Sequence, residues 1–232
     1  MSTNTQLKFK AILALCLLVP VPSLGVYIAM MMMPGTTIGQ LMFVVTKVWI
    51  LLLPATWHLL LDRQPVSFSP VKESKLFVGA VWGVGISILI AVIYWWLSTN
   101  WIDISRIQLM AEKIGLDSQT KYLIGAIYWI SFNSLVEEYV WRWFVYKKFE
   151  VIFNPIVAVI LSAIAFTIHH YLALSIYFSL PINLLCCVGI ASGGAIWSVM
   201  YMKYESIWPG YVSHAIVDVA VFAIGYWLFF VA

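Results

Sequence analysis

The sequence predicts an all-α fold, a polytopic bundle of transmembrane helices, and three observations predict it. The first is composition: 63% of the 232 residues are hydrophobic and only 10% are charged. Soluble domains carry about 25% charged residues, so this chain has too little polar surface to cover a globule in water. The second is patterning. Apolar residues gather in runs close to the roughly 20 residues that cross a hydrocarbon core, and short polar or Pro/Gly breaks separate them. The third is aromatic content: twelve tryptophans and twelve tyrosines suit rings placed at membrane interfaces. The length leaves room for about seven spans, with an eighth possible, in a single integral membrane domain over 1–232.

The expected spans follow in order: Phe9 to Met33, Ile38 to Leu61, Leu76 to Leu97, Tyr122 to Tyr146, Pro155 to Leu174, Phe178 to Met202, and Ile207 to the C-terminus. The first resembles a secretory signal, with Lys8 and Lys10 ahead of an apolar run. That run continues to Met33, which favours a retained helix. Between the third and fourth spans lies a polar connector, Asp103 to Ser118. Ile104, Ile107, Met110, Ala111 and Ile114 recur there at helical spacing, as in a helix lying on the interface; Leu109 and Leu116 fit that stripe less well.

Lysine and arginine placement predicts a cytoplasmic N-terminus. That choice puts Lys8, Lys10, Arg63, Lys72, Lys75, Lys147, Lys148 and Lys203 inside and leaves only Arg106, Lys113 and Lys121 outside. A bacterial inner membrane is the expected location. No basic run is long enough to suggest nucleic acid. Cys16, Cys186 and Cys187 form no metal-binding spacing and read as packing residues.

Charges within a span cost a few kcal/mol each on insertion scales and therefore need a reason. The fourth span holds Glu137, Glu138 and Arg142. At about 100° per residue, Ser131, Asn133 and Ser134 share their half of the helix, while Phe132, Leu135, Val136, Tyr139 and Val140 fill the other. The polar half must face other helices or a water-filled cavity. Glu138 and Arg142 stand at i, i+4 with the acid first, the favourable order for an ion pair. Glu137 has no sequence-local cation and is the candidate general base. The fifth span ends with His169 and His170, which point about 100° apart, so one faces the core and the other the interface. The last span places His214 and Asp218 on one face, where the carboxylate can orient the imidazole or share a metal with it. Counted from the span ends at 1.5 Å per residue, Glu137 lies about 13–15 Å deep, His214 about 10 Å and His170 about 20 Å. The last value does not match the others.

These residues resemble a known family. Glu137-Glu138-Tyr139-Val140-Trp141-Arg142 matches the EExxxR motif of the CPBP family of CAAX proteases and bacteriocin-processing enzymes, also called Abi. Phe166 to His170 matches its FxxxH motif, and His214 to Asp218 its HxxxN/D motif. The resemblance covers Leu123 to Ala223. It suggests a catalytic core over 119–225, with 1–118 as accessory spans. It implies intramembrane proteolysis of a membrane-anchored or hydrophobic peptide. Glu137 would activate water, His170 would position it, His214 and the residue at 218 would stabilise an oxyanion, and Glu138 with Arg142 would support the site.

Some members carry asparagine where this chain has Asp218. An ionised aspartate accepts hydrogen bonds but cannot donate one to an oxyanion. Asp218 is therefore protonated, or orients His214, or ligates a metal. The resemblance implies a glutamate-dependent, metal-free mechanism and HExxH is absent, so no cofactor is expected; zinc on Glu137, His170 and His214 is the alternative. The same buried charges would also serve a proton-coupled transporter, or a non-catalytic immunity or partner protein.

Overall fold

The computed structural model describes residues 3–67, 69–97, 101–116 and 118–232. Among them the chain forms eight helices and no strand. They are α1, Asn4–Met32; α2, Thr37–Leu61; α3, Glu73–Leu97; α4, Ile104–Lys113; α5, residues 119–152; α6, Pro155–Ser175; α7, Leu180–Tyr204; and α8, Trp208–Phe230. All but α4 and α5 are long and apolar enough to cross a membrane.

Helix α5 is the expected fourth span. It is long enough to cross, but its charges lower its apolar content. It stands in the centre of the bundle, with Val136, Val140, Trp141, Phe144 and Val145 buried against Leu18 of α1, Leu53 and Trp57 of α2, Phe166 of α6 and Trp197 of α7. The distribution of side chains is inside-out. Ser134, Glu138, Arg142, Ser162, Ser198 and Ser213 are sealed inside, while Phe77, Ile88, Trp95 and Ile127 face outward. Water would select the opposite arrangement; a hydrocarbon surround selects this one. The chain is an integral membrane protein.

Local chemistry sets the helix ends. Thr36 caps α2 by accepting from the Gly39 N–H at 3.1 Å. Asn154 caps α6 by accepting from the Val157 N–H at 3.0 Å, with Pro155 in the first turn. The connector forms the expected amphipathic helix, α4. Asp103 caps it by accepting from the Arg106 N–H at 3.0 Å, Ile107 and Ala111 are buried, and Leu109 is exposed. Asp117 of that connector lies outside the described residues.

Contacts between loops sort the helix ends into two groups. At one end Lys10 donates to the Leu61 carbonyl, Lys72 to that of Tyr204, and Ser206 to that of Pro70; Lys148 pairs with Asp62. At the other, Arg106 donates to the Ser175 and Ile176 carbonyls and Gln108 to that of Leu228. This is the grouping that seven crossings produce. Helices α3 and α8 approach backbone to backbone. A Cβ on Gly83 would stand 2.9 Å from the Ser213 carbonyl oxygen, so only glycine permits this contact.

Candidate active site

Helix α5 contributes the carboxylates. Its hydrogen-bond ladder widens into π-type turns at Trp129–Asn133 and Tyr139–Tyr146, on either side of Ser134–Glu138. Such turns often mark functional sites, because they re-aim neighbouring side chains. Here they bracket the segment that points both glutamates into the bundle, where Glu137 is 6% and Glu138 0% exposed.

Each carboxylate has distinct partners. One Glu137 oxygen lies 3.8 Å from His169 Nε2 and the other 3.6 Å from His214 Nε2. Glu138 Oε1 stands 3.1 Å from His214 Nδ1 and 3.5 Å from Arg142 Nη2. Nδ1 of His214 donates to Glu138, which leaves Nε2 directed at Glu137. Asp218 Oδ2 accepts from Ser134 Oγ at 2.6 Å and lies 3.8 Å from His214 Nε2. Three helices, α5, α6 and α8, thus meet within one coupled group.

Aromatic rings hold this group in place. Trp197 stacks on His214 with centroids 4.0 Å apart, and its Nε1–H donates to Ser213 Oγ. Trp141 stacks nearly parallel on His169 at 5.4 Å. The Phe166 ring lies 4.6 Å from the Arg142 guanidinium carbon and touches the rings of His169, His170 and His214 edge-on or tilted. Trp197 lies 5.2 Å from that guanidinium. Arg142 therefore sits fully buried in an aromatic cage, with Glu138 as its counter-ion.

The structure brings together Glu137, Glu138, Arg142, His170, His214 and Asp218, and it adds His169. His169 Nε2 faces Glu137, whereas His170 Nδ1 donates to the Phe166 carbonyl at 2.9 Å. The two rings nevertheless lie 4.0 Å apart. Donor atoms of Glu137, His169 and His170 fall within 4.8 Å of one another. The expectation that adjacent histidines diverge, one to the core and one to the interface, is corrected: both reach the Glu137 neighbourhood. The compact metal-type set contains His169 where the sequence suggested His214.

The mismatch in depth also resolves. Helix α5 runs on to Ile152, past the expected Tyr146, so Glu137 lies about 22 Å from its end, level with His170 counted from Pro155. The turn between α7 and α8 sits deeper, near Tyr146, whose ring meets Tyr201 at 5.9 Å. His214 is therefore shallow along its own helix and level with Glu137 in space.

Two more polar residues from the sequence join the site. Ser134 anchors Asp218, and Asn133 accepts from Lys47 Nζ at 2.6 Å. Lys47 comes from α2, far outside the motifs. Its signal was present as the one charged residue between Thr37 and Leu61.

Residues 119–220 match the family model described as type II CAAX prenyl endopeptidase Rce1-like. Over these residues the chain is similar to the CAAX protease family. No curated protein and no solved structure matches the chain. The matched segment contains α5, α6 and α7 and reaches Ala220 of α8, so it carries the carboxylates and histidines described above. Over this segment the chain is thus similar to a protease family, and the segment lies among helices apolar enough to cross a membrane. Lys47 lies outside the matched segment.

Proposed function

We propose that the chain is an intramembrane endopeptidase that cuts a membrane-anchored or hydrophobic peptide with a water activated by Glu137. The observation that carries this reading is the placement of the Glu137 carboxylate between two imidazole nitrogens at 3.6 and 3.8 Å. These separations exceed a direct hydrogen bond, and a water seated beside the carboxylate can contact both it and an imidazole. Glu137 takes a proton from that water as its oxygen attacks the scissile carbonyl carbon. It then passes the proton to the leaving amine nitrogen as the C–N bond breaks. His169 and His170 position the water. His214, oriented by Glu138 and carrying a proton on Nε2, donates to the tetrahedral oxyanion. Asp218, anchored by Ser134, acts through His214 as a positioning residue.

The grouping of Glu137, His169 and His170 favours one variant of this reading. These three residues would hold a zinc ion, which when bound supplies Lewis-acid polarisation of the carbonyl.

The test is Glu137→Gln, which keeps shape and removes the base. Cleavage should fall at least about 1,000-fold with the thermal midpoint unchanged. New peptide ends in membrane fractions, present with wild-type protein and absent with Glu137→Gln, would identify the substrate. Cleavage by Glu137→Gln at the wild-type rate sinks the proposal.

A further inference from the structure

Lys47 is a charged residue placed against the site with no role in the mechanism above. It stands on α2, and register contacts fix that helix against α5. Lys47 meets Asn133, the Leu51 carbonyl accepts from Tyr139 Oη at 3.2 Å, His58 packs on Trp143, and Asp62 pairs with Lys148. The ammonium is therefore held at one height. That height is one turn from Glu137, because Asn133 and Glu137 are at i, i+4 on one face of α5.

Three carboxylates crowd this site: Glu137, Glu138 and Asp218. The cation within the motifs, Arg142, is 0% exposed and enclosed by Phe166, Trp197 and Glu138, so it cannot reach a substrate. Asp218, when ionised, accepts and does not donate. Attack on a peptide carbonyl adds another negative charge. Lys47 is only partly buried, and Asn133 takes one of its three N–H bonds.

We propose that Lys47 is a further catalytic residue, its ammonium donating to the substrate carbonyl oxygen as negative charge develops there. This rests on the endopeptidase reading. Amide hydrolysis proceeds as before, and Lys47 keeps its proton throughout.

The experiment measures kcat and KM on purified full-length chain in lipid nanodiscs, with a cleavable membrane peptide found by the comparison of peptide ends. The variants are Lys47→Met, Lys47→Arg, Asp218→Asn, and Lys47→Met with Asp218→Asn. Lys47→Met should lower kcat about 100-fold and leave KM within about 3-fold, the pattern of an interaction made in the transition state. Lys47→Arg should retain most of the activity, because it keeps a cationic donor. Adding Asp218→Asn to Lys47→Met should restore about 10-fold, since it removes a negative charge and adds an amide donor.

A merely structural lysine would lower the thermal midpoint and leave kcat per folded molecule unchanged, which overturns the proposal. So does a loss confined to KM, an Arg variant as inactive as the Met variant, or no recovery in the double variant. Glu137→Gln is assayed in parallel. If it is inactive while Lys47→Met is active, this inference fails alone; if it is active, the endopeptidase reading fails.

Discussion

Removing the charge of Arg142 should destabilise the protein far more than removing the ion pair as a whole. Arg142 and Glu138 are both fully buried, with 3.5 Å between Nη2 and Oε1. At an effective dielectric constant of about 20, that separation corresponds to an attraction of about 5 kcal/mol. Breaking one side of a buried pair typically costs about 3–5 kcal/mol, because the remaining charge is left without compensation. The aromatic cage adds about 0.5–2 kcal/mol. Arg142→Met keeps the aliphatic stem and should therefore lose about 3–5 kcal/mol. Combining it with Glu138→Leu removes both charges and should recover at least half of that loss. Activity should not recover, because Glu138 accepts the Nδ1–H of His214.

The assay is equilibrium unfolding by SDS in mixed micelles, followed by tryptophan fluorescence, with peptide cleavage measured on the same samples. A loss below about 1 kcal/mol in Arg142→Met, or a double variant no more stable than the single one, refutes the reasoning.

Two further outcomes follow from the geometry. A Cβ on Gly210 would stand 2.5 Å from Glu138 Oε2, so Gly210→Ala should displace that carboxylate, cost about 1–3 kcal/mol and impair cleavage; unchanged unfolding would contradict the close approach. If water activation by Glu137 is metal-free, extended dialysis against a chelator leaves cleavage unchanged. Loss on chelation with recovery on added zinc would instead support the variant with zinc on Glu137, His169 and His170.

Much of the fold was legible because a bilayer imposes coarse rules that leave a plain record in composition and run length. The seven long helices and the amphipathic α4 appear within a few residues of their expected positions. The end of α5 was less legible: Lys147, Lys148 and Glu150 break the apolar run, yet the helix continues through Ile152 because these charges pair with one another and with Asp62. The carboxylates and the pair His214/Asp218 stood out because charge inside a span is rare. His169 did not stand out from His170, since adjacent residues on a helix can be told apart only by what packs around them. Here Trp141 stacks on one ring, and the Phe166 carbonyl holds the other.

By itself the sequence determined that the chain crosses a membrane, that ionisable groups lie within its spans, and which motifs carry them. Run length and charge are local properties, and a lipid environment reads them directly. Only the tertiary structure decided which nitrogen faces Glu137, that Arg142 is sealed within rings, that Asp218 is bound by Ser134, and that Lys47 arrives from α2. Those facts depend on the depth, rotation and register of helices far apart in the chain, which packing sets and no single segment encodes.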